Sequence, residues 1–179
     1  ELALKAALVD TSRPVTQLHW GGGTPTFISE QQMQNLMNET RRHFHIADDA
    51  DISIEIDPRE ANAETIALLK KIGFNRISLG VQDFDPAVQK AVNRIQSEAE
   101  TLAVIDAARQ HQFRSISVDL IYGLPLQTLS GFDTTLDKII AANPDRISLF
   151  NYAHMPKLFK TQRQIKSEDL PTAEQKLSI

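Results

Sequence analysis

Residues 52–57 read "ISIEID" and residues 76–81 read "RISLGV". In both, apolar side chains alternate with small or polar ones: Ile52, Ile54 and Ile56 against Ser53, Glu55 and Asp57, then Ile77, Leu79 and Val81 against Ser78, Gly80 and the following Gln82. Successive side chains of a strand point to opposite faces, so each segment has one oily face and one polar face. The split recurs in "VTQLHW" (15–20), "SISVDLIYG" (115–123) and "RISLFNYA" (146–153). There Leu18 and Trp20 oppose Gln17 and His19, Ile116, Val118 and Leu120 oppose Ser117 and Asp119, and Ile147 and Leu149 oppose Ser148.

Helical patterns fill the intervals between these strands. Ser29 with Gln32 forms a capping box ahead of a helix carrying Met33, Leu36, Met37 and Phe44. Ala61–Ile72 is predicted as the next helix, with Ile66, Leu69 and Ile72 inward and Gly73 as its stop. Asp85-Pro86 reads as an N-cap with proline at the first helical position, Ser97 with Glu100 caps a longer helix, and Thr128–Asn143 ends before Pro144. Strands alternating with helices call for parallel pairing through right-handed crossovers. A parallel sheet covered by helices on both faces is apolar on both faces, and this one is not. Helices outside and a polar lumen inside fit an α/β fold of the parallel TIM-type barrel kind. The alternative is an open sheet with one solvated face, which parallel topology disfavours. Because a full eight-stranded barrel needs about 250 residues, five strands in 179 residues predict a partial barrel, an arc of a larger domain.

Composition narrows the function. An apolar fraction of 41% with 23% charged residues is ordinary globular chemistry. The net charge of −4, without a basic stripe, gives nucleic acid little electrostatic purchase, and "KLFKTQRQIK" (157–166) reads as a solvated face or linker. No apolar run is long enough to span a bilayer. "ELALKAALVD" is neither a signal nor a transit peptide and reads as the end of an amphipathic helix. The chain has no cysteine, which excludes disulfides and thiolate metal sites within these residues.

Three of the seven glycines stand together in "LHWGGGTPTFI" (18–28), at the end of the first strand. Either this is a turn, or the backbone approaches a ligand there. Barrel ligands gather where strand C-termini open into loops. Gly21 to Thr24, Glu55 and Asp57, Gln82 and Asp83, Asp119, and Asn151 to His154 all fall near that rim. Singly, Glu55 fits a lysine partner, Asp119 an indirect acceptor role, and Arg94 a surface guanidinium; gathered on one polar rim they form a candidate site. His43 and His45 sit at a helix terminus, where histidine helps satisfy the last carbonyls, and are not read as metal ligands. No Walker loop, dinucleotide fingerprint, zincin motif or nucleophile elbow is present.

The segments "HWGGGTPT", "SIEIDPRE", "RISLGVQDFDPAVQKAVNR", "VDLIYGLPLQT" and "PDRISLFNYAHMP" resemble, in order, the oxygen-independent coproporphyrinogen III oxidase (dehydrogenase) family of radical S-adenosylmethionine enzymes in haem biosynthesis. The resemblance runs from about residue 15 to the end of the sequence. A haem-chaperone branch of the same superfamily shares the glycine triplet and the "GVQ" and "YGLP" elements; "DPRE", "QDF", "VNR" and "FNYAH" favour the oxidase. An unrelated barrel with a polar ligand is the third reading.

The resemblance implies a radical SAM partial barrel over residues 1–155, with 156–179 as a linker and the start of a following helix. It implies two molecules of S-adenosylmethionine and a 4Fe-4S cluster. Gly22, Gly23 and Thr24 would present main-chain groups to the methionyl part, Glu55 would accept from a cationic or hydroxyl-bearing group, and Gln82 and Asp119 would hold the nucleoside. Arg94 would pair with the methionyl carboxylate, and Ala153 would contact the region of the adenine. The reaction implied is oxidative decarboxylation of two propionates of coproporphyrinogen III, giving protoporphyrinogen IX, in the cytoplasm, with an electron donor and with neither nucleic acid nor membrane as partner. The family's cluster-binding C-x-x-x-C-x-x-C segment has no counterpart here, so the sequence is expected to be an internal fragment that neither assembles a cluster nor turns over by itself.

Overall fold

A computed structural model describes residues 1–179. Five strands, β1 (Val15–Trp20), β2 (Ile46–Ile56), β3 (Arg76–Gln82), β4 (Ser115–Tyr122) and β5 (Arg146–Asn151), form one sheet in sequence order. Every pairing is parallel. With helical crossovers between neighbours, the sheet curls into a half-barrel, the partial TIM-type arc that the strand pattern predicts.

The alternating residues divide as their chemistry demands. Ile54, Leu79, Ile116, Val118 and Leu120 are fully buried, and Ile52, Ile56, Ile77 and Val81 nearly so. They meet Met33 and Met37 from α2 (Glu30–His43), Ile66, Leu69 and Ile72 from α3 (Ala63–Ile72), Val104, Ile105 and Ala108 from α5 (Glu98–Gln110), and Phe132 and Ile139 from α6 (Leu129–Ala141) in one cluster. Trp20 closes one end with its ring edge-on to Phe74, centroids 4.9 Å apart. On the other face, the register sets Glu55, Ser78 and Ser117 in one row across β2, β3 and β4, and Gly80, Asp119 and Ser148 in another across β3, β4 and β5.

Helix ends follow local hydrogen bonding. Ser29 and Ser97 make reciprocal capping boxes with Gln32 and Glu100, and Asp85 caps the short α4 (Pro86–Ala91) by accepting from the Ala87 and Val88 amides. The third helix begins at Ala63 rather than Ala61. Asp57 first caps a 3-10 turn over Pro58–Glu60, and Asn62 then opens the α-helix with its own capping box to Thr65.

On α2 the helix turns Met33 and Met37 inward and leaves Leu36 39% exposed. Ile147 and Leu149, whose parity matches the buried rows of the other strands, are instead 44% and 53% exposed. The remaining helices are peripheral: α1 (Leu2–Ala6) buries no residue, and α7 (Ala173–Ser178) follows two 3-10 turns in the segment after β5. No helix is long and apolar enough to cross a membrane.

Leu79 lies at the centre of the sheet and is fully buried. Leu79→Ala is expected to lower unfolding free energy by about 2–5 kcal/mol, read from urea denaturation, whereas Leu149→Ala on the bare face should cost under about 1 kcal/mol.

Candidate functional site

At the C-terminal ends of the strands, a cavity of about 210 Å³ is lined by one hydrophobic residue and nine others, among them Gly23, Glu55, Asp57, Ser78, Gln82, Arg94 and Asp119. It is the polar parity of β2, β3 and β4 that builds its floor. A second cavity, of about 290 Å³, adjoins it and shares Gln82 and Arg94, with Ile121, Leu124, Tyr152 and Ile165 supplying an apolar wall.

Glu55 organises the glycine rim. Its Oε2 accepts from the Gly22 amide at 3.0 Å, and its Oε1 lies 3.2 Å from His19 Nε2. His19 Nδ1 lies 2.8 Å from the Ser53 hydroxyl. The three glycines are needed for different reasons. A Cβ on Gly21 would meet His19 Nε2 first and sit 2.7 Å from Glu55 Oε1, so that position is packed against this pair of side chains. Gly22 and Gly23 have open space around the missing Cβ but φ values of 80° and 59°, so their requirement is torsional.

Arg94 is the most constrained cation of the site. Its Nη1 lies 3.2 Å from Asp57 Oδ2, its Nη2 donates to the Gly80 carbonyl at 2.9 Å, and its Nε is buried without a partner. Burial pushes its pKa below the ordinary value, with Arg59 adding to the effect and Asp57 opposing it. Burial acts to raise the Asp57 carboxyl, but hydrogen bonds from Arg59 and the charges of Arg94 and Arg59 outweigh it and hold Asp57 below the usual carboxylate value. Asp119 accepts from the Ser78 hydroxyl through Oδ2 at 2.8 Å. At Gln82 the backbone has φ 68°, where the β3–β4 register slips between Gly80 and Gln82. The arrangement offers anionic acceptors, an unfilled guanidinium donor and left-handed main chain around a hydrophilic hollow. Such a set suits a zwitterionic or polyhydroxyl ligand.

The sequence profile described as "Radical SAM superfamily" matches residues 1–139, most of the chain. The chain belongs to the radical SAM superfamily. This radical SAM chain is 52% identical, over 100% of its own length and 39% of the relative's, to the oxygen-independent coproporphyrinogen III oxidase of Pseudomonas aeruginosa. It is 50% identical to that of Synechocystis, over 100% of the chain and 38% of the relative. Among solved structures, coproporphyrinogen III oxidase from Escherichia coli superposes with a TM-score of 0.95 at 49% identity, covering 99% of this chain and 41% of that one. The archaeal Elp3 of Methanocaldococcus infernus shares the fold alone, with a TM-score of 0.72 at 16% identity over 94% of this chain and 43% of that one. The radical SAM chain therefore spans about two-fifths of the length of the curated relatives it matches, between 39% and 38% for these two.

Of the eight residues singled out from the sequence, Gly23, Glu55, Gln82, Arg94 and Asp119 line the first cavity of the radical SAM half-barrel, and Gly22 is tied to it through Glu55. Thr24 lies beside them and opens the 3-10 turn Pro25–Phe27. Ala153 lines neither cavity; its carbonyl accepts from Gln162 Nε2 at 3.1 Å, next to Tyr152 on the second cavity's wall. Asp57, Ser78 and Gly80 also line the first cavity, and their shared parity with Glu55 marked them. Thr161, Gln162 and Ile165 reach the second cavity from the segment read as a solvated linker, and nothing in its local pattern announces that contact.

The depressed Asp57 carboxyl contributes stability above its ordinary value of 3.8 and loses that contribution as pH falls through the lower folded value. Urea denaturation across pH 2–7 is expected to find Asp57→Asn less stable than wild type at neutral pH, with the gap closing below about pH 4. Gly22→Ala should cost about 1–2 kcal/mol for its left-handed backbone alone, by the same measurement.

Proposed function

We propose that the chain is part of an oxygen-independent coproporphyrinogen III oxidase and holds S-adenosylmethionine in the hollow of its half-barrel. The observation that carries the reading is a polar cavity at the strand ends that brings the Glu55 and Asp119 carboxylates together with the Arg94 guanidinium. Identities of 50% and above to relatives of that name, along the whole of this chain, support it. On this reading, residues 1–155 contribute the barrel arc and 156–179 lead away from it.

The residues fit S-adenosylmethionine. The spare Nη hydrogens of Arg94 would receive the methionyl carboxylate, while Asp57 and the Gly80 carbonyl keep the guanidinium plane from rotating. Each Glu55 oxygen already accepts one hydrogen bond or faces His19, yet a carboxylate oxygen accepts two, so Glu55 retains capacity for an ammonium group near Gly22, Gly23 and Thr24. Asp119 Oδ1 and the Gln82 amide would take ribose hydroxyls, and Ala153 would offer main-chain contact toward the adenine. Two adjoining cavities sharing Gln82 and Arg94 accord with two bound molecules.

The 4Fe-4S cluster is another matter. With no cysteine among 179 residues, this chain supplies no thiolate for it, and its ligands are assigned to other parts of the full-length protein. When bound, the cluster and S-adenosylmethionine would supply the one-electron chemistry that takes a hydrogen atom from a propionate of coproporphyrinogen III, which then loses carbon dioxide and passes one electron to a one-electron acceptor. This chain's part is to orient the sulfonium nucleoside and exclude water around it. The reading also carries an electron donor, a cytoplasmic location, and neither nucleic acid nor membrane as partner.

The test uses full-length protein reconstituted anaerobically with iron and sulfide, then given S-adenosylmethionine, a reductant and coproporphyrinogen III. Release of 5′-deoxyadenosine and carbon dioxide with formation of protoporphyrinogen IX is expected. Failure to form any of these overturns the proposal, and tight haem binding with untouched coproporphyrinogen transfers the chain to the chaperone branch. In calorimetry on the unreconstituted protein, Arg94→Ala is expected to weaken S-adenosylmethionine binding by about tenfold or more, the loss of a charge-assisted pair.

A further inference from the structure

Asp83 lies just beyond the rim, 1% exposed, and every donor facing its carboxylate is a neutral group of the fold. Its Oδ1 accepts from the Thr135 hydroxyl on α6 at 2.7 Å and from the Asp85 amide at 2.8 Å; its Oδ2 accepts from Gln127 Nε2 at 2.5 Å. Gln127, also buried, ties down the loop after β4: its Oε1 accepts from the Gly123 and Leu124 amides, and its Nε2 donates to the Ile121 carbonyl. One carboxylate thus joins the loop after β3, the loop after β4 and helix α6. A buried charge with no cationic partner is costly unless its oxygens are hydrogen-bonded, and both oxygens of Asp83 are, Oδ1 twice and Oδ2 once.

What the carboxylate fastens is the site. Asp83 N donates to the Val81 carbonyl at 2.9 Å, closing a three-residue γ-turn with Gln82 at its centre and φ at 68°. Such positive-φ turns are strained and persist where their surroundings over-determine them. From the Asp83 carbonyl the chain of contacts continues: Gln89 Nε2 donates to it at 2.9 Å, Gln89 Oε1 accepts from the Gln96 amide, and the Gln89 carbonyl accepts from the Arg94 amide at 2.8 Å. The backbone on both sides of Arg94 therefore hangs from Gln89, and Gln89 from Asp83.

We infer that Asp83 is a positioning residue for S-adenosylmethionine binding, acting with Gln127 and Thr135 to hold Gln82 and Arg94 in their binding geometry. The inference rests on the reading of the cavity given above and extends it to groups that touch no ligand.

The pairing can be inverted. Asp83→Asn sets an amide nitrogen against the Gln127 amide or the Asp85 N–H, and Gln127→Glu sets carboxylate against carboxylate and removes the donor of the Ile121 carbonyl; together the new amide donates to the new carboxylate, and only the Ile121 contact stays broken. Calorimetry and thermal melting of the full-length protein would compare wild type, both single variants, the double variant and Ile139→Ala, a buried apolar control on α6. Each single variant is expected to weaken S-adenosylmethionine binding by about tenfold, and the double variant to bind at least about threefold more tightly than Gln127→Glu alone, the Ile121 carbonyl having lost its donor in both. Ile139→Ala should lower the melting temperature and leave affinity unchanged. Single variants that lose melting temperature yet bind within about twofold of wild type, or a double variant whose losses simply add, overturn the inference. If Asp83→Asn does not fold, Thr135→Val decides: weakened binding upholds the role and unchanged binding removes it. A wild-type protein that binds no S-adenosylmethionine instead sinks the cavity reading, and this inference with it.

Discussion

Helices pack on only one side of these strands, and that asymmetry governs the molecule. Ile54, Leu79 and Val118 leave water on the helix side, where they meet Ile66, Ile105 and Phe132. At about 25 cal/mol per Å² of apolar surface, that burial is the dominant favourable force on the sheet. The opposite parity contributes nothing to this core and is free to carry Glu55, Ser78 and Asp119. Stability and binding are thereby assigned to alternate residues of the same strands, so neither has to be compromised along the backbone that both share.

The polar face then acquires order from its own contacts rather than from packing. Ser78 restrains Asp119, the Gly22 amide restrains Glu55, and Asp57 with the Gly80 carbonyl restrains Arg94. Each leaves the restrained group with unused capacity toward the hollow. A preorganised site of this kind loses little side-chain entropy when a ligand arrives, which is where much of its affinity would otherwise be spent.

The architecture was legible because it is written in short-range patterns. Alternation over six or seven residues identified five strands, and the caps at Ser29, Asp85 and Ser97 act within three or four residues of themselves. Most of the candidate site followed from the same alternation, since Glu55, Gln82 and Asp119 stand on one parity. What escaped depends on distance in sequence. The start of α3 lies later because Asp57 caps a separate 3-10 turn, Pro58–Glu60, and Asn62 caps the helix that follows. Exposure of Ile147 and Leu149 depends on which element lies over β5, not on β5 itself. The Asp83–Gln127 contact joins residues 44 positions apart, and the Gln82 γ-turn coincides with a slip in the β3–β4 register that no single strand displays.

The two cavities have a common partition made of Gln82 and Arg94. An occupant of one chamber that shifted either side chain would change affinity in the other, and by linkage the effect would be the same in both directions. Alterations to the partition register in both chambers at once. Ser78 belongs to the first chamber alone and Tyr152 to the second, which makes these two residues the handles by which the occupants are told apart.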